Sequence, residues 1–451
     1  MRFSSLWAAL LTLALALAAC SPPRSTRLPD VVLVSIDTLR ADHVGAYGYG
    51  PPTTPELDRF AGDSVLFENT ISHAPSTLPS HASLFTSRLP MEHRVLLATR
   101  TSLPPDMPVL AGILAEAGYR TAGFHSGGQL RNDLGIGTGF EIWEQVSIEF
   151  APVVDRGCRW LAESRERPSF LFLHTYEIHH PYEPDPEMLS LFEDDYAGPL
   201  PDHIEVDAHL RKINDPSDSR LEIDEHDLAH IVATYDAELR SADEALGKLF
   251  RCLRSQARYE DALVIVTSDH GEEFGEHGMV GWHSHTLFDE LLRVPLVTKL
   301  PGGRHAGTRV ATTASLIDLA PTILRVAGLS PPASFRGTSL LPPMASMSGS
   351  TKREEDEVVI SMRDVEGLAP SAISARSDRF KLIGDWLFDL VEDPGETKDV
   401  ASAHPTIVER LARERSTAVS LARQIDEGSA AARDSLSPET ISELRALGYV
   451  D

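Results

Sequence analysis

Short apolar runs alternate along the chain with longer segments whose apolar residues recur at helical spacing. Five such runs are found: Val31–Ile36, Arg120–Phe124, Phe170–His174, Leu263–Ser268 and Val294–Leu300. A run that is apolar at successive positions is typical of a strand buried on both faces of a parallel sheet. The pattern therefore predicts strands at these positions.

Helices are predicted between the strands, over Met107–Ala117 and Asp227–Leu253. The second segment carries apolar residues at helical spacing: Leu228, Ile231, Val232, Tyr235, Leu239, Ala242, Leu246 and Leu249. Strands separated by helices predict an α/β fold, with a large, mostly parallel sheet flanked by helices on both faces. Ligands of such sheets bind at the carboxyl ends of the strands, and functional residues are expected there.

Two regions depart from this alternation. Pro184–Asp224 is polar, acidic and rich in Pro and Asp, which favours a long excursion near the site that acts as a lid. Residues 342–356 are rich in Pro, Ser and charged residues and are predicted to be a linker. The linker separates a catalytic domain at 31–341 from a C-terminal subdomain with a helical tail at 357–451.

The C-terminal subdomain is predicted to hold a small antiparallel sheet and helices. The expected strands are Val358–Ser361, Ala372–Ala375, Arg379–Ile383 and Trp386–Leu390. A charged amphipathic helix is expected at Ile407–Ile425, and a short helix begins at Pro438 after a cap at Ser437.

The first 19 residues are predicted to be a signal peptide. Arg2 precedes an apolar stretch from Leu6 to Ala19, which is shorter than the roughly 20 residues that a membrane span needs. The stretch ends in Leu17-Ala18-Ala19-Cys20, which resembles a bacterial lipobox. We expect an exported lipoprotein on the periplasmic or outer-membrane face, held to the membrane only through lipid on Cys20, with a tether at 20–30. The alternative is an ordinary signal cut after Ala19.

The composition of the chain, and above all its net charge, limits the kinds of partner that it can bind. Among 451 residues, 41 Lys and Arg face 67 Asp and Glu, which gives a net charge of −26 and argues against nucleic-acid binding. An apolar fraction of 42% suits a globular core. Besides Cys20 the chain has Cys158 and Cys252, and the sequence leaves open whether these two pair or stay free.

Polar residues of the types that bind metals or take part in catalysis follow two of the predicted strands. Asp37 comes directly after the first strand, and Asp269 and His270 follow the fourth. Both residue types are metal ligands, and neighbouring strand ends can converge on one ion. Thr77 lies just before the start of a predicted helix, where a bound metal would lower the pKa of its hydroxyl. The alternatives are a helix cap at Asp37 and a capped Ser/Thr-rich loop around Thr77.

Five motifs, in order along the chain, resemble those of the sulfatase family of the alkaline phosphatase superfamily. They are Val31–Asp42, Thr77–Ser87, Leu171–Pro184, Asp269–Gly278 and Leu287–Pro295. The resemblance covers nearly the whole mature length, since Trp386–Glu396 also looks like part of the family's small terminal domain. It implies an alkaline phosphatase/sulfatase-like fold and a divalent metal held by Asp37, Thr77, Asp269 and His270.

The chain departs from the family pattern at several positions. Thr77 stands where the family converts a Cys or Ser into formylglycine, which threonine cannot yield; it resembles instead the direct Thr nucleophile of the superfamily's phosphodiesterases. His81 replaces an Arg, Ser87 a Gly, Thr38 an Asp and His270 an Asn. Imidazole among the ligands favours Mn²⁺ or Zn²⁺, with Ca²⁺ still possible. We find no second complete set of Asp and His ligands, so one metal ion is expected.

The resemblance also assigns three histidines to the substrate. His179 and His283 are expected to be catalytic and to bind substrate, and His93 to bind substrate; a positively charged imidazole would clamp an oxygen or protonate the leaving group. His180, His277 and His285 are possible substitutes. Glu272 and Glu273 are expected to support neighbouring ligands or to place charge at a helix start.

These observations predict a metal-dependent hydrolase of sulfate or phosphate esters, with Thr77 as nucleophile and a small anionic ester as substrate. The alternatives are a phosphodiesterase or phosphoglycerol-type transferase, and an inactive sulfatase-like binding protein. The oligomeric state stays open.

Overall fold

The computed structural model describes residues 28–96, 102–104, 106–193, 196–217, 220–341, 357–363, 369–426 and 438–447. The predicted signal peptide, all but the last residues of the tether, and the predicted linker at 342–356 lie outside the described residues. Within the described part of the chain, no helix has both the length and the apolar character that crossing a membrane requires.

Three sheets contain the strands of the described residues. The largest is formed by β1 Val31–Ile36, β2 Val65–Ile71, β3 Arg120–His125, β4 Ile142–Gln145, β5 Ser169–Thr175, β6 Leu263–Thr267, β9 Arg293–Lys299, β10 Thr308–Val310 and β11 Ala314–Ser315. A two-stranded sheet contains β7 Glu273–Phe274 and β8 Val280–Trp282. The C-terminal sheet contains β12 Val359–Met362, β13 Ile373–Arg376, β14 Phe380–Ile383 and β15 Trp386–Asp389.

The large sheet has the strand order β10-β2-β9-β6-β1-β5-β3-β4, with β11 beside β2. All neighbours are parallel except β9, which is antiparallel to both β2 and β6. The five strands predicted from apolar runs are all present, with bounds within one residue of those expected. The mostly parallel α/β sheet is thereby confirmed.

The helices of the described residues lie around this sheet and on the C-terminal sheet. They are α1 Pro55–Gly62, α2 Thr77–Thr86, α3 Pro90–His93, α4 Leu110–Glu116, α5 Phe150–Glu163, α6 Pro186–Leu189, α7 Arg211–Ile213, α8 Glu225–Ser255, α9 Asp289–Leu292, α10 Leu319–Val326, α11 Pro405–Asp426 and α12 Pro438–Ala446. The helix predicted to begin at Met107 begins three residues later, because Pro108 disfavours helical backbone at Met107 and Val109 is extended.

Both faces of β1 are covered, which explains why its sequence is apolar at successive positions. Val32, Val34 and Ile36 belong to one buried cluster together with the apolar stripe of α8. Val31 and Leu33 point to the other face, where they join a second cluster with residues of α2 and α10. Successive strand residues point to opposite faces, so a strand with two covered faces is apolar at most positions, and its one polar residue, Ser35, is hydrogen bonded to His81.

A disulfide joins Cys158 of α5 to Cys252 of α8, across 94 residues of sequence. Both helices pack on the same side of the sheet, in the cluster that contains Val32 and Val34. The structure thus settles a pairing that the sequence left open.

The excursion Pro184–Asp224 is anchored to the sheet rather than standing apart from it. Leu200, Ile204 and Leu210 are buried in the apolar cluster under α8. The backbones of Tyr182 and Ile204 also bond to each other in both directions. The described part of the segment is therefore packed against the domain through these apolar residues and this backbone bridge.

The C-terminal sheet is antiparallel in the simple order β12-β13-β14-β15 and packs against α11, as predicted. It is joined to the large sheet's domain by Lys381, whose Nζ lies 2.9 Å from Asp289 Oδ1 and 2.9 Å from Glu396 Oε1. The final helix α12 leaves this subdomain: Leu444 is buried in the cluster that contains α2 and α10. The tail therefore returns to the side of the sheet that carries Thr77.

Candidate active site

Neighbouring strand ends bring Asp37, Asp269 and His270 together. β1 pairs in parallel with β6, and Asp37 follows the first strand while Asp269 follows the second. One ligand atom from each of the three residues lies within 4.8 Å of the others, and all three side chains are fully buried. Parallel strands end at the same edge of a sheet, so residues 232 positions apart in the sequence share one site.

Thr77 joins this group as the first residue of α2. Its Oγ1 donates to Asp37 Oδ2 at 3.1 Å and lies 3.4 Å from His270 Nε2. Pro79 occupies the first turn of the helix, as the sequence predicted, and the positive end of the helix dipole faces the group. The four predicted metal ligands are thus in one place; we call Asp37, Thr77, Asp269 and His270 the first ligand group.

The first ligand group has the properties of a cation site. Asp37 Oδ1 and both carboxylate oxygens of Asp269 are buried without a hydrogen-bond partner among the described residues. Burial raises the pKa of Asp37 to about 6 and also raises the pKa of Asp269. Burial alone would lower the pKa of His270, but the charges of Asp269 and Asp37 outweigh it and raise that pKa. Buried, adjacent carboxylates without donors are stabilised by a bound cation, so these residues fit a divalent metal.

His81 contacts the first ligand group and supports it. Its Nδ1 lies 2.9 Å from the carbonyl oxygen of Thr77 and 3.5 Å from Asp269 Oδ2, and its Nε2 lies 3.0 Å from Ser35 Oγ. Burial lowers the pKa of His81 to about 4, so the ring is neutral at pH 7. The side chain that replaces a charged Arg of the family pattern is therefore an uncharged support for the helix that begins at Thr77.

His174 is a residue of the candidate site that the sequence analysis missed. It lies near the end of β5, directly beside Ser35 of β1, and its Nε2 is 3.0 Å from Asp37 Oδ2. Burial lowers its pKa to about 4. The sequence signal that could have identified it is a histidine at the carboxyl end of an apolar strand. A histidine that bonds a ligand in this way orients that ligand without binding the metal itself.

Two departures from the family pattern have a local explanation. Ser87 ends α2 in the left-handed region at φ 51°, where glycine is favoured; its Oγ donates to the Ile317 carbonyl and accepts from the Gly337 amide, which compensates for the strain. Thr38 is also left-handed, at φ 54°, and its hydroxyl donates to the Ile178 carbonyl. Thr38 is therefore engaged with backbone, whereas the family's Asp would carry charge.

A second cluster of imidazoles lies beside the first ligand group. One ring nitrogen each of His179, His180 and His283 lies within 4.8 Å of the others, and all three residues are buried. The rings of His283 and His270 are 4.7 Å apart at their centroids, which places the two clusters side by side. We call His179, His180 and His283 the imidazole cluster. The sequence analysis did not predict this cluster, because His179 and His180 lie about 100 residues away from His283 along the chain.

Glu272 supports the imidazole cluster. Its Oε1 is 3.0 Å from His283 Nδ1, and its Oε2 is 3.6 Å from His180 Nδ1. Burial alone would raise the pKa of Glu272, but the contacts with His180 and His283 hold it well below its ordinary value. Glu272 is therefore an ionised carboxylate that orients neighbouring rings, as the sequence suggested.

The expected charges of the substrate-site histidines differ from those in the structure. Burial lowers the pKa of His179 well below its ordinary value and that of His283 to about 3. Both rings are thus neutral at pH 7. A neutral imidazole supplies neither the positive charge nor the proton that the sequence analysis expected of these residues in the resting protein.

His93 lies apart from both clusters. It ends α3, its Nε2 bonds Ser83 Oγ at 3.0 Å, and its Nδ1 accepts from the Val95 amide. Burial lowers its pKa to about 3. None of its contacts within the described ranges is with the first ligand group or the imidazole cluster, so the structure does not bring it to the expected substrate position.

The remaining candidates have other partners. His277 Nδ1 is 2.5 Å from Glu290 Oε1 and its ring stacks on Phe288. His285 bonds the indole nitrogen of Trp282, and Glu273 accepts from Thr286 at 2.9 Å. These side chains stabilise the loop that carries His283 and are not members of either cluster.

Comparison with known families gives two matches. The family model described as "Sulfatase" matches residues 29–329, about two thirds of the chain. The model described as "N-sulphoglucosamine sulphohydrolase, C-terminal" matches residues 275–418.

Curated proteins and solved structures agree with these matches. The chain is 24% identical over 419 residues to a Delta 4,5-hexuronate-2-O-sulfatase of Bacteroides thetaiotaomicron, covering 83% of this chain and 84% of that protein. It is 25% identical over 469 residues to the multifunctional alkaline phosphatase superfamily protein PehA of Trinickia caryophylli, covering 82% and 91%. The phosphonate monoester hydrolase of Agrobacterium radiobacter superposes with a TM-score of 0.69 at 22% identity, covering 87% of this chain and 96% of that one.

Proposed function

The chain belongs to the sulfatase family and is an ester hydrolase, and we propose that it cleaves small sulfate or phosphate esters with Thr77 as the nucleophile. The observation that carries the proposal is the position of the Thr77 hydroxyl. It lies at a helix start, 3.1 Å from a buried carboxylate oxygen of Asp37. A serine or threonine hydroxyl becomes a nucleophile when a neighbouring base or cation removes its proton, and this geometry offers both.

The first ligand group would hold one divalent cation. When bound, the cation polarises the ester oxygens and lowers the pKa of the Thr77 hydroxyl. Four ligands, of which one is an imidazole, favour Mn²⁺ or Zn²⁺ over Ca²⁺. His174 and His81 orient the carboxylates of Asp37 and Asp269, so that both ligands are fixed before substrate arrives.

The reaction proceeds in two displacements. Thr77 Oγ1 passes its proton to Asp37 Oδ2, to which it is hydrogen bonded, and its oxygen forms a bond to phosphorus or sulfur as the bond to the leaving-group oxygen breaks. The leaving group departs as an alkoxide or phenolate that takes a proton from solvent. A water molecule then attacks the covalent Thr77 ester, and the P–O or S–O bond to Thr77 breaks as Asp37 returns the proton to the Thr77 oxygen. His283 and His179, neutral at rest, are suited to accept the proton of that water, and Glu272 would stabilise the charge that His283 gains.

We favour phosphorus esters over sulfate esters as substrates. Threonine carries a methyl group on Cβ and cannot form the formylglycine aldehyde that family members use against sulfate. The structurally similar phosphonate monoester hydrolase supports this preference, because its substrates are esters of phosphorus. Sulfate esters are the competing substrate class, because other relatives are named as sulfatases.

Turnover of three esters that share one aryl leaving group tests the proposal. The sulfate, the phosphate monoester and the phosphate diester are supplied to the mature chain loaded with Mn²⁺, Zn²⁺ or Ca²⁺. Thr77→Ala should lower the rate by about 10³-fold or more, whereas Thr77→Ser should restore part of it. Thr86→Ala is the matched control, because Thr86 lies at the far end of the same helix and bonds the Ala82 carbonyl.

Each outcome discriminates between the candidate functions. Faster cleavage of a phosphate ester that depends on Thr77 supports the proposal; faster cleavage of sulfate that depends on Thr77 would extend the use of a threonine to sulfate. Turnover that Thr77→Ala leaves unchanged rejects this nucleophile. Appearance of the sulfuryl or phosphoryl group on an added alcohol, instead of on water, would indicate a transferase. No turnover with any ester would favour a binding protein.

We further propose that the enzyme acts outside the cytoplasm, anchored through lipid on Cys20. The Cys158–Cys252 disulfide supports this, because disulfides persist in oxidising compartments. Incorporation of labelled palmitate in the bacterial host, lost in Cys20→Ala, is the expected result. Retention of the chain with the cytoplasmic fraction would contradict it.

A further inference from the structure

We propose that Ser76 and Gln129 bind the substrate, with the Ser76 hydroxyl and the Gln129 side-chain amide donating hydrogen bonds to the non-bridging oxygens of the ester that Thr77 attacks. The inference rests on the proposed function, because it takes Thr77 as the position of the reacting atom. It deepens that function by giving two uncharged residues a role in binding the ester, and the sequence analysis assigned neither of them to the substrate.

The Ser76 hydroxyl is left available by the sequence of the first turn of α2. Ser76 occupies the N-cap position, where a serine normally accepts from the amide of the second or third helical residue. The third residue is Pro79, which has no N–H, and the amide of the second, Leu78, donates instead to Gln129 Oε1 at 2.8 Å. Ser76 is buried, and its Oγ has no hydrogen-bond partner among the described residues.

Gln129 reaches the same helix turn from the loop after β3. Its Oε1 accepts from Leu78, the residue after Thr77, and its backbone amide donates to the Tyr176 hydroxyl at 3.1 Å. The side chain is fully buried, yet Nε2 has no hydrogen-bond partner in the part of the chain that the structure describes. Oε1 and Nε2 are bonded to the same carbon, so this unpartnered donor lies beside the helix turn that begins with Thr77.

The turn that carries Gln129 packs directly on the site. Gly128 has a φ of 56°, in the region where glycine is favoured, and a Cβ at this position would lie 2.5 Å from a ring carbon of Tyr176. The Tyr176 ring is edge-on to His174 and to His179, with centroid distances of 4.8 Å and 5.1 Å. Packing as well as hydrogen bonding therefore fixes Gln129 relative to the other residues of the site.

The unpartnered buried groups around Thr77 differ in what they can bind. Asp37 Oδ1 and the two carboxylate oxygens of Asp269 only accept, which suits a cation. Ser76 Oγ and Gln129 Nε2 can donate, which suits the oxygens of an anion. Native proteins rarely bury a donor without an acceptor, so we expect the acceptor to arrive with a ligand. The positive end of the α2 dipole favours a ligand of the same negative charge.

Two substitutions of Gln129 separate substrate binding from a structural role. Gln129→Glu keeps an oxygen that accepts from the Leu78 amide but replaces the donor Nε2 by a carboxylate oxygen, which repels an anionic ester. Gln129→Met removes both the acceptor and the donor. A purely structural role predicts that only Gln129→Met has an effect. A contact with the substrate predicts that both variants bind the ester more weakly, with Gln129→Glu the weaker of the two.

Equilibrium binding tests the proposal without turnover. Bis(4-nitrophenyl) phosphate and 4-nitrophenyl sulfate are titrated by calorimetry into the mature Thr77→Ala chain loaded with Mn²⁺, the parent for this experiment. Adding Ser76→Ala should weaken binding about 10-fold, and adding Gln129→Glu about 10- to 100-fold. Ser83→Ala is the matched control and should bind like the parent, because Ser83 is a buried serine of the same helix whose hydroxyl bonds His93 at 3.0 Å. A near-ultraviolet circular dichroism spectrum like that of the parent shows that each variant is folded.

The outcomes decide this inference separately from the proposed function. Unchanged affinity in Ser76→Ala or in Gln129→Glu would overturn the assignment of that residue, and absence of binding of either ester to the parent would overturn both. Thr77-dependent hydrolysis with affinities that neither variant changes would keep the proposed function and reject this inference. Affinities that fall as expected, without hydrolysis that depends on Thr77, would reject the nucleophile and keep the two substrate contacts.

Discussion

The Nε2 atom of His174 lies 3.0 Å from Oδ2 of Asp37, and both side chains are fully buried. The same carboxylate oxygen accepts the hydroxyl of Thr77 at 3.1 Å. His174 sits on β5 beside Ser35 of β1, so the sheet register itself sets the contact. One imidazole thus fixes the orientation of a carboxylate that accepts the Thr77 hydroxyl and that we propose as a metal ligand.

Replacing His174 should weaken the first metal site without removing it. A residue that orients a ligand typically contributes 10- to 100-fold to metal affinity, and we expect a loss of about that size in His174→Ala, with partial recovery in His174→Gln. Calorimetric titration with Mn²⁺ measures it. His125→Gln is the control, because His125 ends the neighbouring β3 and its Nδ1 accepts from the Gly127 amide. Unchanged affinity in His174→Ala would show that Asp37 needs no such support.

Removal of residues 447–451 should lower turnover by disturbing the imidazole cluster. The Leu447 carbonyl accepts from His180 Nε2, and without it His180 loses the contact that fixes its ring beside His179 and His283. We expect kcat to fall about 10-fold, with binding of one Ca²⁺ retained. Deletion of residue 451 alone is the control and should turn over substrate like the full chain. An unchanged kcat after the longer deletion would contradict the role of the tail.

Loss of the disulfide should affect stability and not chemistry. Cys158 and Cys252 are 94 residues apart and join two helices on one face of the sheet. In the described structure, neither cysteine contacts the first ligand group or the imidazole cluster. Closing a loop of this size typically stabilises a protein by about 2–4 kcal/mol. The double variant Cys158→Ala/Cys252→Ala should lose about that free energy of unfolding in urea, while kcat changes little. A large loss of kcat at a temperature where the variant is folded would show that α5 and α8 position the site.

Asp243 should make the protein less stable as the pH rises. It is buried in α8, accepts from the backbone amides of Glu56 and Leu57, and burial raises its pKa from 3.8 to about 7. Between these values the folded state holds a proton that the unfolded state has lost, so stability falls as the pH rises from about 4 to about 7. One group with this shift contributes about 2 kcal/mol between pH 5.5 and 7.

The comparison between wild type and Asp243→Asn isolates that contribution. The variant does not titrate, so its free energy of unfolding should vary less between pH 5.5 and 7 than that of the wild type, whatever its absolute stability. Urea unfolding at both pH values measures the difference. Equal pH dependence in the two proteins would mean that Asp243 keeps an ordinary pKa in the folded chain.

The strands and the first ligand group were predictable from the sequence because their signals are local. A strand covered on both faces is apolar at most positions, so β1, β3, β5, β6 and β9 stand out as runs. Asp37, Asp269 and His270 follow such runs directly, and the carboxyl ends of parallel strands meet at one edge. Thr77 was placed by the helix start and by the family resemblance together.

The imidazole cluster could not be predicted in the same way. His180 was only a substitute for His179 in the sequence, and nothing local distinguishes either from the other histidines of the chain. His93 illustrates the opposite case, since its motif position suggested a substrate contact while its ring bonds Ser83 and Val95. Motif position follows the backbone, whereas contacts depend on how helices and loops pack.

By itself, therefore, the sequence determined the α/β sheet, the family and the meeting of Asp37, Asp269 and His270 at adjacent strand ends, because hydrophobic burial and strand direction are set by neighbouring residues. Only the tertiary structure decided the Cys158–Cys252 pairing, the support of Asp37 by His174 and the return of Leu447 to His180. The tertiary structure also decided which histidines of the site are neutral. Desolvation depends on the whole surroundings of a side chain, and so the neutral state of His179 and His283 emerges only when the chain is folded around them.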